Sequence, residues 1–348
     1  MKYLSLFSGI GGFELGIQSI FPKAECVGFS EIDKYAIQTY RKHYPDHPCL
    51  GSISDINPLA LPNFDMLVGG FPCQDLSIAK AGRKGLDGER SGLFWTMLSI
   101  LRPKNPRYFC FENVASMPKK DRDVITAELG VEPVMINAAL VSAQSRKRLF
   151  WCNWNVSQPQ DRGILLKDIL ESGYEPKNKD KTLCIRARYG NDFSSNPKTA
   201  ISRYEKGFTQ IIADKSYCIP STYHKENVKS LVQRKKTGLC VIDSEPPSAP
   251  IRLGNIGNSS SQGYRVYSIE GKSVTLGANG GGLGAKTGLY ETSQTYIRKL
   301  TPTECERLQC FPDGYTEGMS NTQRYKQLGN AVNVEVVKHI MSELRGAL

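Results

Sequence analysis

The chain has no pair of cysteines spaced C-x-x-C, although it holds ten, at positions 26, 49, 73, 110, 152, 184, 218, 240, 305 and 310. That absence argues against a zinc ribbon and a dithiol redox motif, and the scatter gives no disulfide framework. Histidine is scarce, with four in 348 residues. His43 and His47 stand i, i+4 as helix metal ligands do, but Pro45 between them breaks the helix that would align them, so no metal site is expected. No run of about 18 apolar residues occurs, and no basic segment followed by an apolar one opens the chain, so neither membrane spanning nor secretion is expected. Reduced cysteines in a cytoplasm fit this pattern. Acidic residues are the rarer charge: 34 Asp plus Glu against 45 Lys plus Arg leaves a formal +11, which favours a polyanionic partner.

What is present divides into two textures. In the first half, short apolar runs alternate with amphipathic segments, as in a parallel sheet covered by helices. "KYLSLFSG" reads as a strand running into a Gly-rich turn, "GGFELGIQSIF" as a helix, "AECVGFSEID" as a strand and "KYAIQTYRKHY" as a helix. "FDMLVGGFPC" then reads as a strand ending in a loop, "SGLFWTMLSILR" as a helix and "RYFCFENV" as a strand; "PVMINAALVSA" and "KRLFWCNW" read as late, antiparallel strands. The expected fold is a doubly wound α/β domain with binding residues at the carboxyl ends of its strands. From about Asn155 the sequence becomes dense in Pro, Gly, Asn, Ser and Lys, and its apolar runs shrink to hairpin lengths. "YEPKNKDK" and "DSEPPSAP" read as linkers or exposed loops. A pattern of lysine, hydroxyl residue and β-prone stretch recurs at Lys181, Lys215 and Lys272; its copies could be successive strands presenting lysines and hydroxyls to phosphates, or compositional self-similarity of hairpin-rich sequence. After Tyr296 helical patterning returns, with a capping box at Thr301/Glu304 or Thr303/Glu306. One α/β body interrupted by a β-rich module is expected, with boundaries at 1–178, 179–297 and 298–348.

The residues that can carry chemistry gather at the predicted strand ends. Gly9, Gly11 and Gly12 let the backbone approach a ligand closely, but Glu14 stands where the G-x-G-x-x-G fingerprint needs its third glycine, so a nucleoside ligand without a pyrophosphate fits better. Glu31, at the next strand end, can accept hydrogen bonds from ribose hydroxyls, and Asp55, expected at the end of strand three, can meet an adenine amino group. Cys73 follows the strand "FDMLVGG" and so faces the same crevice, with Pro72 fixing the backbone before it. The Gly- and charge-rich segment after it resembles a loop that closes over a site. Glu112 of "FENV" ends another strand as a candidate acid or base, and "QSRKRLF" adds Arg146, Lys147 and Arg148.

The ordered set "FSGIGGFELG", "SEIDKYA", "GGFPCQDLS", "FENV", "QSRKRLF", "KLTPTECERLQCFPDGYT" and "QLGNAV" resembles the DNA (cytosine-5)-methyltransferases, over about residues 3–150 and 298–340. The resemblance implies the Rossmann-like fold of S-adenosylmethionine-dependent methyltransferases with an inserted target-recognition domain, acting on a cytosine flipped out of double-stranded DNA. S-adenosylmethionine would be held by Phe7, Ser8, Gly9, Gly11, Gly12, Glu31, Ile32, Asp55, Ile56, Gly70, Pro72 and Leu93, with Asn330 and Val332 closing the pocket. Cys73 would attack C6, Glu112 would bind at N3, Arg148 would contact the base, and Arg146 would support Glu112 and Cys73. Gln74, Ser77 and Arg90 would meet DNA from the closing loop. The segment from Arg252 to Tyr290 is also similar to the recognition core of bacterial enzymes that methylate GCGC. There Gln262 would fill the vacated space, Arg265 would read a base, and Thr275 would lie near the target phosphate. Tyr264 stands where those enzymes carry an acidic reader and Ala79 where they carry a serine, so their specificity is not carried over. The resemblance further implies a soluble prokaryotic or phage enzyme, monomeric, with a cognate endonuclease acting separately where one exists. A tRNA methyltransferase shares the motifs, and a DNA-binding protein with a degenerate catalytic body or a nicotinamide-dependent oxidoreductase would be other readings; the long basic module argues for duplex DNA, and the intact motifs for catalysis.

Overall fold

The computed structural model describes residues 1–72, 93–171, 247–256, 261–278, 283–284, 286–293 and 296–348. The alternating half folds as β1 (Lys2–Leu6), α1 (Gly12–Ile20), β2 (Glu25–Ser30), α2 (Lys34–His43), β3 (Met66–Gly70), α3 (Leu93–Lys104), β4 (Tyr108–Val114), α4 (Lys119–Leu129), β5 (Val134–Asn137) and β6 (Lys147–Cys152). The six strands form one sheet in the order β2-β1-β3-β4-β6-β5. Strands β1 to β4 are parallel, and β6 lies antiparallel between β4 and β5. This is the expected doubly wound mixed sheet. Its order reverses at β1/β3, and ligands bind outside the carboxyl ends of strands at such a switch point.

The chain returns to this body through α5 (Pro302–Leu308), α6 (Asn321–Asn330) and α7 (Val334–Ala347). Successive strand residues point to opposite faces, which separates two cores. Leu4, Leu6, Leu67, Phe109 and Phe111 pack with Phe94 and Met97 of α3 and Ile125 of α4. Tyr3, Met66, Val68 and Cys110 pack with Ile17 of α1 and Val337, Ile340 and Met341 of α7. Of the two possible capping boxes, Thr301/Glu304 forms: the Thr301 hydroxyl accepts from the Glu304 N–H at 3.1 Å, and Glu304 accepts from the Thr301 N–H at 2.8 Å.

Three local expectations are corrected. The run "PVMINAALVSA" is a strand only to Asn137, because the Asn137 side chain accepts from the N–H groups of Ala139 and Arg146, at 3.2 and 2.9 Å, and turns the chain into a 3-10 helix. Asp55 sits on a 3-10 turn, Ile53–Asp55, rather than at a strand end; Ser52 caps that turn, and Asn57 with Pro58 starts another. Two helices, α4 and α6, went unread because their sequences are strongly polar; α4 buries only the stripe Asp121, Ile125 and Leu129. The helix α2 ends at His43, leaving His47 outside it; the two rings serve other partners, the Tyr315 carbonyl for His43 and the Tyr40 hydroxyl for His47.

The β-rich module contributes β7 (Arg252–Asn255), β8 (Arg265–Ser268), β9 (Leu289–Ser293) and β10 (Tyr296–Arg298), ordered β10-β9-β8-β7, with β8 and β9 parallel and the other pairs antiparallel. The linker "YEPKNKDK" and the recurring copies at Lys181 and Lys215 lie outside the described residues.

Glu14, the residue in the third-glycine position, is fully buried on α1. One of its oxygens lies 3.1 Å from the Tyr40 hydroxyl, itself 3.0 Å from Nδ1 of His47. Burial pushes the Glu14 carboxyl up to about 7, against hydrogen bonds from Ser5, its own backbone and Tyr40 that pull it down. The folded value lies above the ordinary 4.5, so the native state binds more protons across that interval and stability falls as pH rises from about 4.5 to about 7. Glu14→Gln, which keeps the shape and stays neutral, should remove this slope. The melting temperature of the wild type is expected to fall relative to the variant between about pH 4.5 and pH 7; parallel curves would contradict the assignment.

Candidate active site at the carboxyl edge of the sheet

The turn after β1 is tightly specified. Phe7, a non-glycine residue, has φ +54°, and Gly9 and Gly11 have φ +56° and +92°. The Gly9 N–H donates to one oxygen of Glu31 at 2.9 Å, and the N–H groups of Ile32 and Asp33 donate to the other at 2.8 and 2.9 Å. A carboxylate offers about four acceptor positions, so one remains for a ligand hydroxyl. Ser8 spends its hydroxyl on Ser5 and the Ser30 carbonyl, tying β1 to β2. A Cβ on Gly9 would meet nothing within 4 Å, which marks open space beside the turn. A Cβ on Gly12 would stand 2.8 Å from Val332, so the last motif packs directly on the first. Ile32, next to Glu31, is an apolar side chain that is 76 % exposed. Ile56 and Leu93 pack half-buried against the core beside α3.

One crossover along the sheet, Gly70 of β3 stands in register with Glu112 of β4. The missing side chain matters here, because a Cβ on Gly70 would lie 2.9 Å from a carboxylate oxygen of Glu112. The other oxygen of Glu112 pairs with Nε of Arg148 at 2.8 Å, both side chains being largely shielded. Arg148 comes from β6, where it is the antiparallel partner of Val114. Next to Glu112, Asn113 is buried; its amide donates to the Phe71 carbonyl at 3.1 Å and its oxygen accepts from the Val114 N–H at 2.7 Å. Asn113 therefore fixes the backbone just before Pro72. Residues 73–92, which include Cys73, Gln74, Ser77, Ala79 and Arg90, lie outside the described residues.

Arg146 was expected to support Glu112 and Cys73, of which Cys73 lies outside the described residues. The arginine that meets Glu112 is Arg148, whereas the buried Arg146 guanidinium donates to the carbonyls of Gly329 and Ala331, at 3.2 and 2.8 Å, and so grips the backbone on both sides of the exposed Asn330. In the β-rich module Gln262 is exposed on a 3-10 turn, Gln262–Tyr264, and Arg265 begins β8. The Thr275 hydroxyl donates to the Ser145 carbonyl at 2.7 Å. Lys272 departs from the phosphate-facing expectation: it is fully buried and its ammonium donates to the carbonyls of Ser142 and Ile164. Sequence reasoning missed Asn113 as support for the site, although its adjacency to Glu112 was an available signal, and it turned Lys272 towards phosphate where the structure buries it.

Residues 1–346 match the family model of C-5 cytosine-specific DNA methylases. The chain belongs to that family. Type II methyltransferase M.HhaI of Haemophilus parahaemolyticus is 30 % identical over 354 residues, covering 100 % of this chain and 95 % of that protein. Orphan methyltransferase M.SPRI of Bacillus phage SPR is 28 % identical, covering 99 % and 97 %. Among solved structures, the Entamoeba histolytica methyltransferase EhMeth aligns with a TM-score of 0.62 at 14 % identity, covering 100 % of this chain and 98 % of that one, and so shares the fold. As a C-5 cytosine methylase, the protein methylates cytosine in DNA at C5 and takes the methyl group from S-adenosylmethionine.

The switch-point crevice fits that cofactor. Glu31 keeps an acceptor position for a ribose hydroxyl, exposed Ile32 offers an apolar face to a purine, and the open backbone at Gly9 leaves room for a chain without phosphates. Among the described residues no cluster of His, Cys, Asp or Glu could hold a metal, and no helix is long and apolar enough to cross a membrane. Gly70→Ala tests the geometry. The new methyl group must displace the Glu112 carboxylate from Arg148, so methylation is expected to fall about ten- to a hundredfold. Melting temperature should change little, and full activity in the alanine variant would show that the close approach is dispensable.

Proposed function

We propose that Cys73 and Glu112 form the catalytic centre and act on a cytosine flipped out of a specific double-stranded DNA sequence. The observation that carries this is the shielded pair Glu112/Arg148, held in the glycine gap one strand away from the cofactor turn. In this reading the Cys73 thiolate adds to C6, which turns C5 into an enamine-like nucleophile. Glu112 binds at N3 through a shared proton, which neutralises the negative charge that develops in the ring as the thiolate adds, while Arg148 orients Glu112 and contacts the base. S-adenosylmethionine, when bound, supplies an electrophilic methyl group. After C5 is methylated, its proton passes to a base, for which water can serve, and the C5 electron pair re-forms the C5–C6 double bond as the thiolate leaves, which frees the enzyme. A base inside the duplex exposes neither ring face, so flipping is required, at about a few kcal/mol; Gln262, Arg265 and Thr275 are proposed to offset that cost from the module, and Gln74, Ser77 and Arg90 from the segment after Cys73.

Other cysteines support the choice of Cys73. Burial pushes the thiols of Cys26 and Cys310 up to about 12 and about 11, and those of Cys110 and Cys305 well above the ordinary range, so these four stay protonated and inert. The domain division 1–178, 179–297 and 298–348 is supported by one carboxylate. Glu304 accepts both nitrogens of Arg298 at 2.6 Å, where the chain returns from the module, and the N–H of Glu171 at 3.0 Å, where it leaves the body. Bacterial and phage relatives support a cytoplasmic enzyme. It is proposed to act as a monomer, with a cognate endonuclease working separately where one exists.

The test uses tritiated S-adenosylmethionine with duplex DNA or tRNA as acceptor. Label is expected in DNA, and label in tRNA alone would overturn the reading. DNA carrying 5-fluorocytosine, which has no C5 proton to lose, should trap a covalent complex with the wild type and none with Cys73→Ser. A complex that survives in the serine variant would assign the nucleophile elsewhere.

A further inference from the structure

A short backbone ladder joins the β-rich module to the segment of the catalytic body just before β6. Ser273 donates to the Ala143 carbonyl at 2.7 Å and accepts from the Ser145 N–H at 2.9 Å. On the other flank, Gly271 and Ile269 accept from the N–H groups of Leu166 and Lys167, each at 3.0 Å. Lys272 sits where the flanks meet. Its ammonium donates to the Ser142 carbonyl at 3.3 Å and to the Ile164 carbonyl at 2.5 Å, one on each side. Asp161 and Asp168 are the acids whose charge favours the ammonium, and burial still pulls its pKa below the ordinary lysine range. Burying a cation costs free energy, and a methionine of similar length would fill the same space without that cost. What the ammonium adds is direction: it fixes two carbonyls of the catalytic body relative to the connection between β8 and β9 of the module. One residue past Ser145 is Arg146, which grips the backbone around Asn330, and two further on is Arg148, which orients Glu112.

We propose that Lys272 is a positioning residue for methyl transfer, clamping the segment that precedes Arg146 and Arg148 to the DNA-reading module and thereby setting the Glu112 carboxylate. The inference rests on the function proposed above, in which Glu112 and Arg148 hold the target base. It makes the placement of those groups depend on the seating of the module, although Lys272 touches neither base nor cofactor.

Wild type, Lys272→Met and Lys272→Gln are compared on unmethylated plasmid DNA with tritiated S-adenosylmethionine, reading kcat and KM for DNA separately. Affinity for S-adenosylhomocysteine is measured by calorimetry. Lys272→Met removes the donors at nearly constant length, and Lys272→Gln returns two of them on a shorter stem. A small misplacement of reacting groups costs about ten- to a hundredfold, so kcat of Lys272→Met is expected to fall by that factor. KM for DNA and S-adenosylhomocysteine affinity should stay within about twofold of wild type, and Lys272→Gln should recover part of the lost kcat. A kcat within about twofold of wild type overturns the proposal, as does a loss shared equally by kcat, KM and cofactor-product affinity, the mark of a residue that is only structural. Should Lys272→Met fail to fold, the same split in Lys272→Gln decides. Wild type that labels no DNA removes the proposed function and this inference together, whereas normal label with an indifferent Lys272→Met removes this inference alone.

Discussion

The Glu112 carboxylate is held between two constraints: Arg148 Nε at 2.8 Å on one oxygen, and on the other a space that exists only because residue 70 has no side chain. Both come from sheet register. Parallel pairing of β3 with β4 sets Gly70 against Glu112, and antiparallel pairing of β4 with β6 brings Arg148 beside Val114, two residues along. A shift of one residue in either ladder would turn every side chain of that strand to the opposite face and dissolve the site. The buried rows Leu67, Phe109, Phe111 and Trp151 on one face and Met66, Val68, Cys110 and Phe150 on the other forbid such a shift, so the two cores that stabilise the sheet also aim its catalytic edge.

The pair is largely shielded from water, so removing either partner leaves the other without its hydrogen-bonded counterpart. The cofactor side is built differently. Glu31 is satisfied by three backbone N–H groups from the turns after β1 and β2, so its position follows from the main chain and its remaining acceptor capacity faces no competing cation among its described partners. A backbone-held carboxylate, Glu31, and a side-chain ion pair, Glu112 with Arg148, thus stand at the same edge of the sheet.

Much of this was legible in the sequence, for physical reasons. Strands β1 to β4 and helices α1 to α3 show apolar periodicity strong enough to read, and strand ends in a doubly wound sheet are where ligands bind, so the sequence alone points Gly11, Glu31, Cys73 and Glu112 to one crevice. The order of the short motifs gave the family. What failed depended on side chains competing with backbone. Asn137 ended a strand that propensity would have continued, Ser52 and Asn57 turned the Asp55 segment into 3-10 turns, and α4 hid behind a single narrow stripe of buried residues. The roles of the two arginines were also beyond sequence: only pairing in space assigns Arg148 to Glu112 and Arg146 to the carbonyls of Gly329 and Ala331. Lys272 was misread because a lysine in a polar, hairpin-rich stretch ordinarily faces water, and its burial follows from the module packing onto the body.

In the proposed function, strand register places the base-binding carboxylate and the inserted module delivers sequence choice. Bisulfite sequencing of DNA from a methylation-free bacterial host expressing either the wild type or Glu112→Gln tests this most directly, because one experiment reports activity, target sequence and the dependence on Glu112. Protected cytosines confined to one recurring sequence in the wild type, and lost or severely depleted in Glu112→Gln, are the expected result. Absence of protection in the wild type, protection scattered without a common sequence, or undiminished protection in Glu112→Gln would contradict it.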